Sequence, residues 1–200
     1  MPDTENKVRY GLSNVHLALA TIGTDGSASF STPVACPGGV NVSIDSDGSI
    51  EKFWADNIAY YSYNSDVGYS GDLEMAYFPK SILKTFFGML EDANGMLYED
   101  ADKEPPHFAL LFQFEGDQKA TRHVLYNCTA AHLSLAGQTT EGTNEPQTMT
   151  ASLAATPIYV PAVDKNVTKA RVERGDTNYS TFFEAVKTPA ATATTSTATT

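Results

Sequence analysis

The chain has 200 residues, 42% of them apolar and 18% charged, with a formal net charge of −11. That length suits one domain, or one domain with arms, able to bury a substantial core. The acidic balance excludes tight gripping of a phosphate backbone, which needs clustered Lys and Arg.

Residues 8–22 read as an opening arm or strand, with Val15, Leu17 and Leu19 alternating against His16 and Ala18. Gly23 to Gly26 is a turn, and Ser27 to Val34 continues extended. Val40, Val42 and Ile44 share a strand face. Asp47-Gly48 then predicts a tight hairpin, with Ile50 to Ala55 as the returning partner. Asp56 to Asp72 reads as a long polar and aromatic loop without helical or strand period, carrying Tyr60, Tyr61, Tyr63 and Tyr69. Aperiodic segments of that length are usually functional or disordered, and rigid tyrosine rings favour contact.

Pro79 fits the first position of a helix. Ile82, Leu83, Phe86, Phe87 and Leu90 follow at helical spacing, with Gly88 weakening the last turn. Phe108, Leu110, Phe112 and Phe114 form a strict period-2 stripe, the strongest strand signal. After a turn at Gly116-Asp117, Thr121 to Leu135 is a second strand run, with Val124, Tyr126, Cys128 and Ala130 expected on one face. Gly137 to Pro146 is a polar loop. Thr148 to Thr156 alternates again, with Met149, Ala151 and Leu153 inward. Tyr179, Phe182, Phe183 and Val186 predict a short helix over 178–186. Residues 188–200 are a low-complexity Thr/Ala tail, too poor in apolar groups to offset its ordering entropy. The resulting expectation is a mainly β fold, an antiparallel β-sandwich or barrel with one flanking α-helix and extended arms: a single domain over 1–187 with a loop at 56–72, then the tail.

Cys36 and Cys128 are the only cysteines. A disulfide needs Cβ atoms about 4 Å apart, and two buried thiols in a reducing compartment are expected instead. The first residues lack the apolar core of a signal peptide, and no stretch approaches the roughly 20 apolar residues of a membrane span. Synthesis and folding in the cytoplasm without membrane insertion are therefore expected, and sequons at Asn41, Asn127, Asn166 and Asn178 carry little weight.

Catalytic and metal-binding motifs are not found in the sequence. Asp45 to Glu51 resembles half an EF-hand loop, but aligning Gly48 with the loop glycine puts Ser43 first and Trp54 where the bidentate Glu belongs. His16, His107, His123 and His132 show no metal spacing, and no nucleophile elbow or phosphate-binding glycine loop is present. The expectation is a non-enzyme without cofactor. Charge is patterned: Glu91, Asp92, Glu99, Asp100, Asp102 and Glu104 face one base, Lys103. Lys165, Lys169, Arg171 and Arg174 outnumber Asp164 and Glu173. These are either two solvated faces or a complementary pair between neighbouring subunits.

Phe53-Trp54-Ala55-Asp56-Asn57 and Gly68-Tyr69-Ser70-Gly71-Asp72-Leu73-Glu74, with the opening Val8 to His16 and a central Phe108 to Val124 segment, resemble the major tail proteins of long-tailed bacteriophages of Gram-positive hosts. The resemblance runs to about Val186 and is structural rather than chemical. It implies a tail-tube fold shared with type VI secretion tubes, and hexameric rings stacked into a hollow conduit for DNA in the virion tail. It also implies partners among the tape measure, tail terminator and distal tail proteins. On this reading the intersubunit contacts fall to Trp54, Asp56, Asn57, Tyr60, Tyr61, Tyr63, Tyr69, Lys169 and Arg171. The alternative is a β-sandwich binding or decoration module whose tyrosines stack on carbohydrate or protein.

Overall fold

The computed structural model describes residues 10–65, 68–116, 119–134 and 147–191. In chain order the strands begin with β1 (Leu12–Ile22), β2 (Ala28–Phe30), β3 (Val34–Ala35), β4 (Gly39–Ser46), β5 (Ser49–Ala55), β6 (Ile58–Ser65) and β7 (Tyr69–Met75). Helix α1 (Lys80–Phe86) follows, then β8 (Leu90–Glu91), β9 (Leu97–Tyr98), β10 (Phe108–Phe114) and β11 (Arg122–Ala130). The last strands are β12 (Met149–Thr156), β13 (Ile158–Val160), β14 (Lys165–Val167) and β15 (Lys169–Val172). The architecture is mainly β and antiparallel, with this single helix among the described residues.

The main sheet runs β2-β1-β10-β11-β12-β7-β4, with β3 added on β1 and β15 on β11. It curls until Gly39 of β4 packs against the side chains of Leu12 and Val15. Inside the curl, Val15, Leu17, Leu73, Met75, Phe108, Leu110, Phe112, Leu125, Ala151 and Leu153 form the core. Ile82, Leu83 and Phe86 of α1 join the same cluster, and Phe86 meets Phe108 edge to face at 6.1 Å. The outer face of β1, β10 and β11 is also apolar. Ala18, Ala109, Leu111, Val124 and Tyr126 are covered there by Ile158, Val160 and Phe182. Strand β10 is therefore buried on both faces, which explains why Ala109 and Leu111 fill the positions between its aromatic residues.

Four expectations from sequence are corrected. First, β4 does not pair with β5. It pairs with β7, while β5 pairs with β6, so Asp47-Gly48 lies midway along one long ribbon. The amide of Asp47 donates to the Gly68 carbonyl at 3.1 Å, carrying the pairing across the gap. Second, 56–72 is no aperiodic loop, since it contains all of β6 and the start of β7. Third, Val124 and Tyr126 do not share a face with Cys128 and Ala130. A bulge opposite Phe108/Leu110 inserts one extra residue into β11 and flips its parity, so the first pair points outward and the second inward. Fourth, 178–186 forms successive turns rather than a helix, with amides of Tyr179, Phe182 and Glu184 each reaching back three residues.

Helix α1 is also shorter than its apolar spacing predicts. Pro79 caps it, Gly88 at φ +73° ends the run, and Leu90 belongs to β8. The polar stretch expected at 137–146 lies outside the described residues, as do 1–9 and 192–200. Cys36 and Cys128 are both free and buried. Gly71 is required by close packing: a Cβ there would overlap the Ser43 carbonyl oxygen and separate β4 from β7.

Candidate functional site

The distal half of the ribbon, β5 and β6, leaves the main sheet and stands in solvent. Its residues favour strand because they are aromatic or β-branched: Ile50, Phe53, Trp54, Ile58, Tyr60, Tyr61 and Tyr63. Asp56 and Asn57 close it with φ of 51° and 61°. Two consecutive left-handed residues match the strand twist, and short polar side chains tolerate that region best. A register shift between Phe53 and Trp54 kinks the ribbon beside this tip.

Phe53 lies directly opposite Tyr61, and Glu51 opposite Tyr63, so these four share a face. The Tyr61 and Tyr63 rings stack at 6.2 Å with 24° between planes. Residues 49–54 and 58–63 of the ribbon are all exposed. Ile50 is 73% exposed, Trp54 62% and Tyr60 71%. A two-stranded ribbon is at best marginal alone in water, and contiguous exposed apolar surface marks an interaction site.

Of the residues singled out from sequence, Trp54, Asp56, Asn57, Tyr60, Tyr61 and Tyr63 are thus gathered on one projecting element. Tyr69 and Lys169 form a second group at the ribbon's base, where the Lys169 ammonium lies 4.1 Å over the Tyr69 ring. Arg171 sits two residues on along β15, exposed on the same face of that strand.

Beside this group lies an apolar seam. Strand β12 pairs with the far half of β11 and β15 with the near half, leaving the near half of the curl open toward β4. The opening, about 270 Å³, is lined by Val42, Ile44, Phe112, Phe114, His123 and Lys169.

The acidic stretch is largely engaged within the chain. Lys80 Nζ donates to Glu91 Oε1 at 2.5 Å and Lys84 Nζ to Oε2 at 2.7 Å. These two hydrogen bonds hold the Glu91 carboxyl at about 2, against an ordinary 4.5. Asp92 accepts the amides of Met96 and Asn94, which lowers its carboxyl too, and Glu99 meets His132 Nδ1 at 2.9 Å. Glu104 and Asp102 remain exposed. Among the described residues, no group of three or more His, Cys, Asp or Glu could hold a metal ion. Burial pushes the Cys36 thiol up to about 11 and the Cys128 thiol up to about 12, well away from the reactive thiolate range.

Sequence reasoning missed the anchoring of the segment after β15. Arg122 stacks on Tyr179 at 3.9 Å and Phe183 at 4.6 Å and donates to the Tyr179 carbonyl. His16 stacks on Phe183 from β1, and buried Tyr126 donates its hydroxyl to the Lys187 carbonyl at 2.7 Å. The aromatic spacing over 179–186 was the available signal, and it reported burial correctly while suggesting the wrong backbone.

No family model matches the chain, and no curated protein matches it. Among solved structures, it is similar to a chain in the cryo-EM structure of the anti-feeding prophage (AFP) baseplate, 6-fold symmetrised. The identity is 11% and the TM-score 0.47, covering 85% of this chain and 97% of that one. It is also similar to a chain of the anti-feeding prophage tube-terminating cap, at 10% identity and TM-score 0.47, covering 86% of this chain and 99% of that one.

Proposed function

We propose that the protein is a structural subunit of a bacteriophage tail, the tail-tube protein of a long-tailed phage of Gram-positive hosts. Copies join into hexameric rings that stack into a hollow conduit for genome ejection. The observation that carries this reading is the β5–β6 ribbon, which exposes aromatic and aliphatic side chains on a projecting hairpin. Such a surface is a liability to an isolated monomer and an asset when a neighbouring copy covers it.

The opposite requirement, a surface that holds nothing, is met on the outer face of β4, β7 and β12. Ser43, Asp72 and Ser152 are in register there, as are Asn41, Glu74 and Thr150. Its hydroxyls are engaged with its carboxylates: Ser152 Oγ donates to Asp72 at 2.7 Å and Ser70 Oγ to Asp47 at 2.5 Å. Phosphate binding needs cations, and this face repels polyanions, as suits DNA passing without being held. The subunit would reside in the virion tail, assembled in the host cytoplasm beside tape measure, tail terminator and distal tail proteins, with no catalytic role.

Electron microscopy of purified, concentrated protein tests the reading. Uniform hollow tubes are expected. A persistent monomer that binds glycans would instead favour the second reading, a binding or decoration module, for which the stacked Tyr61–Tyr63 pair offers a sugar platform.

A further inference from the structure

We infer that the tip of the ribbon, led by Trp54, seats in the open seam of a second copy of the chain, between β4 and β15. The inference rests on the self-assembly reading above and names the acceptor surface that reading leaves unspecified.

Size is the first argument. At about 270 Å³ the seam has room for one large aromatic side chain. Its walls are aliphatic and aromatic, from Val42, Ile44, Phe112 and Phe114, and they match the flat apolar body of an indole. Trp54 is the chain's one tryptophan and stands exposed beside the ribbon tip.

Charge is the second. The donor carries Glu51 on β5 and Asp56 at its turn, with Lys52 the one base on β5, so it is net acidic. The acceptor mouth carries Lys169, with Arg171 exposed two residues further on. Lys169 already covers the ring of Tyr69, and an incoming indole would meet the same cation–π chemistry.

Geometry makes the contact intermolecular. Because β5 continues β4, Trp54 follows Ser46 by eight positions. At about 3.3 Å per residue that is roughly 26 Å of extended chain. It cannot reach its own seam without unpairing the ribbon. A donor at one place and an acceptor at another on the same subunit make a heterologous interface, which propagates from copy to copy.

The test uses the full chain with Asp56→Cys and Lys169→Cys, leaving Trp54 in place and the native thiols buried. Under assembly conditions a short bismaleimide should convert this variant into a ladder of covalent multiples, and each single variant into dimers at most. Wild-type Trp54 emission should move to the blue as concentration rises, and Lys169→Glu should blunt that shift. Assembled tubes that give neither a ladder nor a shift would overturn the seam as acceptor while leaving the tube reading standing. Failure to self-associate at any concentration removes both.

Discussion

Glu91 is held from two consecutive turns of α1, because Lys80 and Lys84 fall four apart and so share a helix face. Lys80 also donates to the Gly95 carbonyl at 3.0 Å, so these residues pin the β8–β9 hairpin to the helix. The folded carboxyl titrates at about 2 against an ordinary 4.5. A depressed carboxylate contributes stability above its unfolded pKa and loses that contribution as pH falls through the folded value. The thermal midpoint should therefore fall between about pH 4.5 and pH 2, and Glu91→Gln should flatten that part of the profile. Identical profiles for the two proteins would show that the pair contributes nothing measurable, as many exposed pairs do.

At the scale of elements, the ribbon is the feature that sequence located but misread. Its aromatic richness was visible, and so was the Asp47-Gly48 turn signal. The competing turn at Asp56-Asn57 was equally available, since the alternation of Tyr61 and Tyr63 with Ser62 and Asn64 continues beyond it. A dipeptide that favours left-handed backbone permits a tight hairpin but does not compel one. Pairing of β4 with β7 wins because Val42 meets buried Leu73 across the strands and Gly71 lets them close. Parity in β11 was illegible for a similar reason, since a bulge depends on the partner strand rather than on local pattern. The ribbon's independence from the core leads to a prediction. Replacing residues 49–65 with a short Gly-containing turn should leave circular dichroism and the thermal midpoint of the remaining sheet nearly unchanged, while abolishing tubes by electron microscopy. Normal tubes from that variant would sink the assembly role of the ribbon.

Across the whole molecule, charge divides unevenly. Four of the six acids expected to face a neighbour are engaged at home: Glu91 by lysines, Asp92 and Asp100 by backbone amides, and Glu99 by His132. The basic side is more available, with Lys165, Arg171 and Arg174 exposed. In the proposed assembly, its partner is then better sought on the acidic ribbon than on 91–104. Reversing Lys169 and Arg171 to Glu should slow assembly at low ionic strength, followed by light scattering. The difference should shrink at about 1 M salt, where screening shortens to about 3 Å. Equal rates at low salt would remove charge from the account of assembly.

Period-2 alternation by itself determined that this chain is antiparallel β, placed β1, β10 and β12, and put their apolar positions in the core, because side-chain direction in a strand is a local property. Composition set the net charge of −11, because a charge sum needs no fold. Which strands pair, where β11 changes face, and that the last turns wrap the outer sheet through Arg122, Phe182 and Tyr126 were decided only by tertiary structure. Those outcomes depend on residues far apart in sequence competing for the same burial and the same backbone hydrogen bonds.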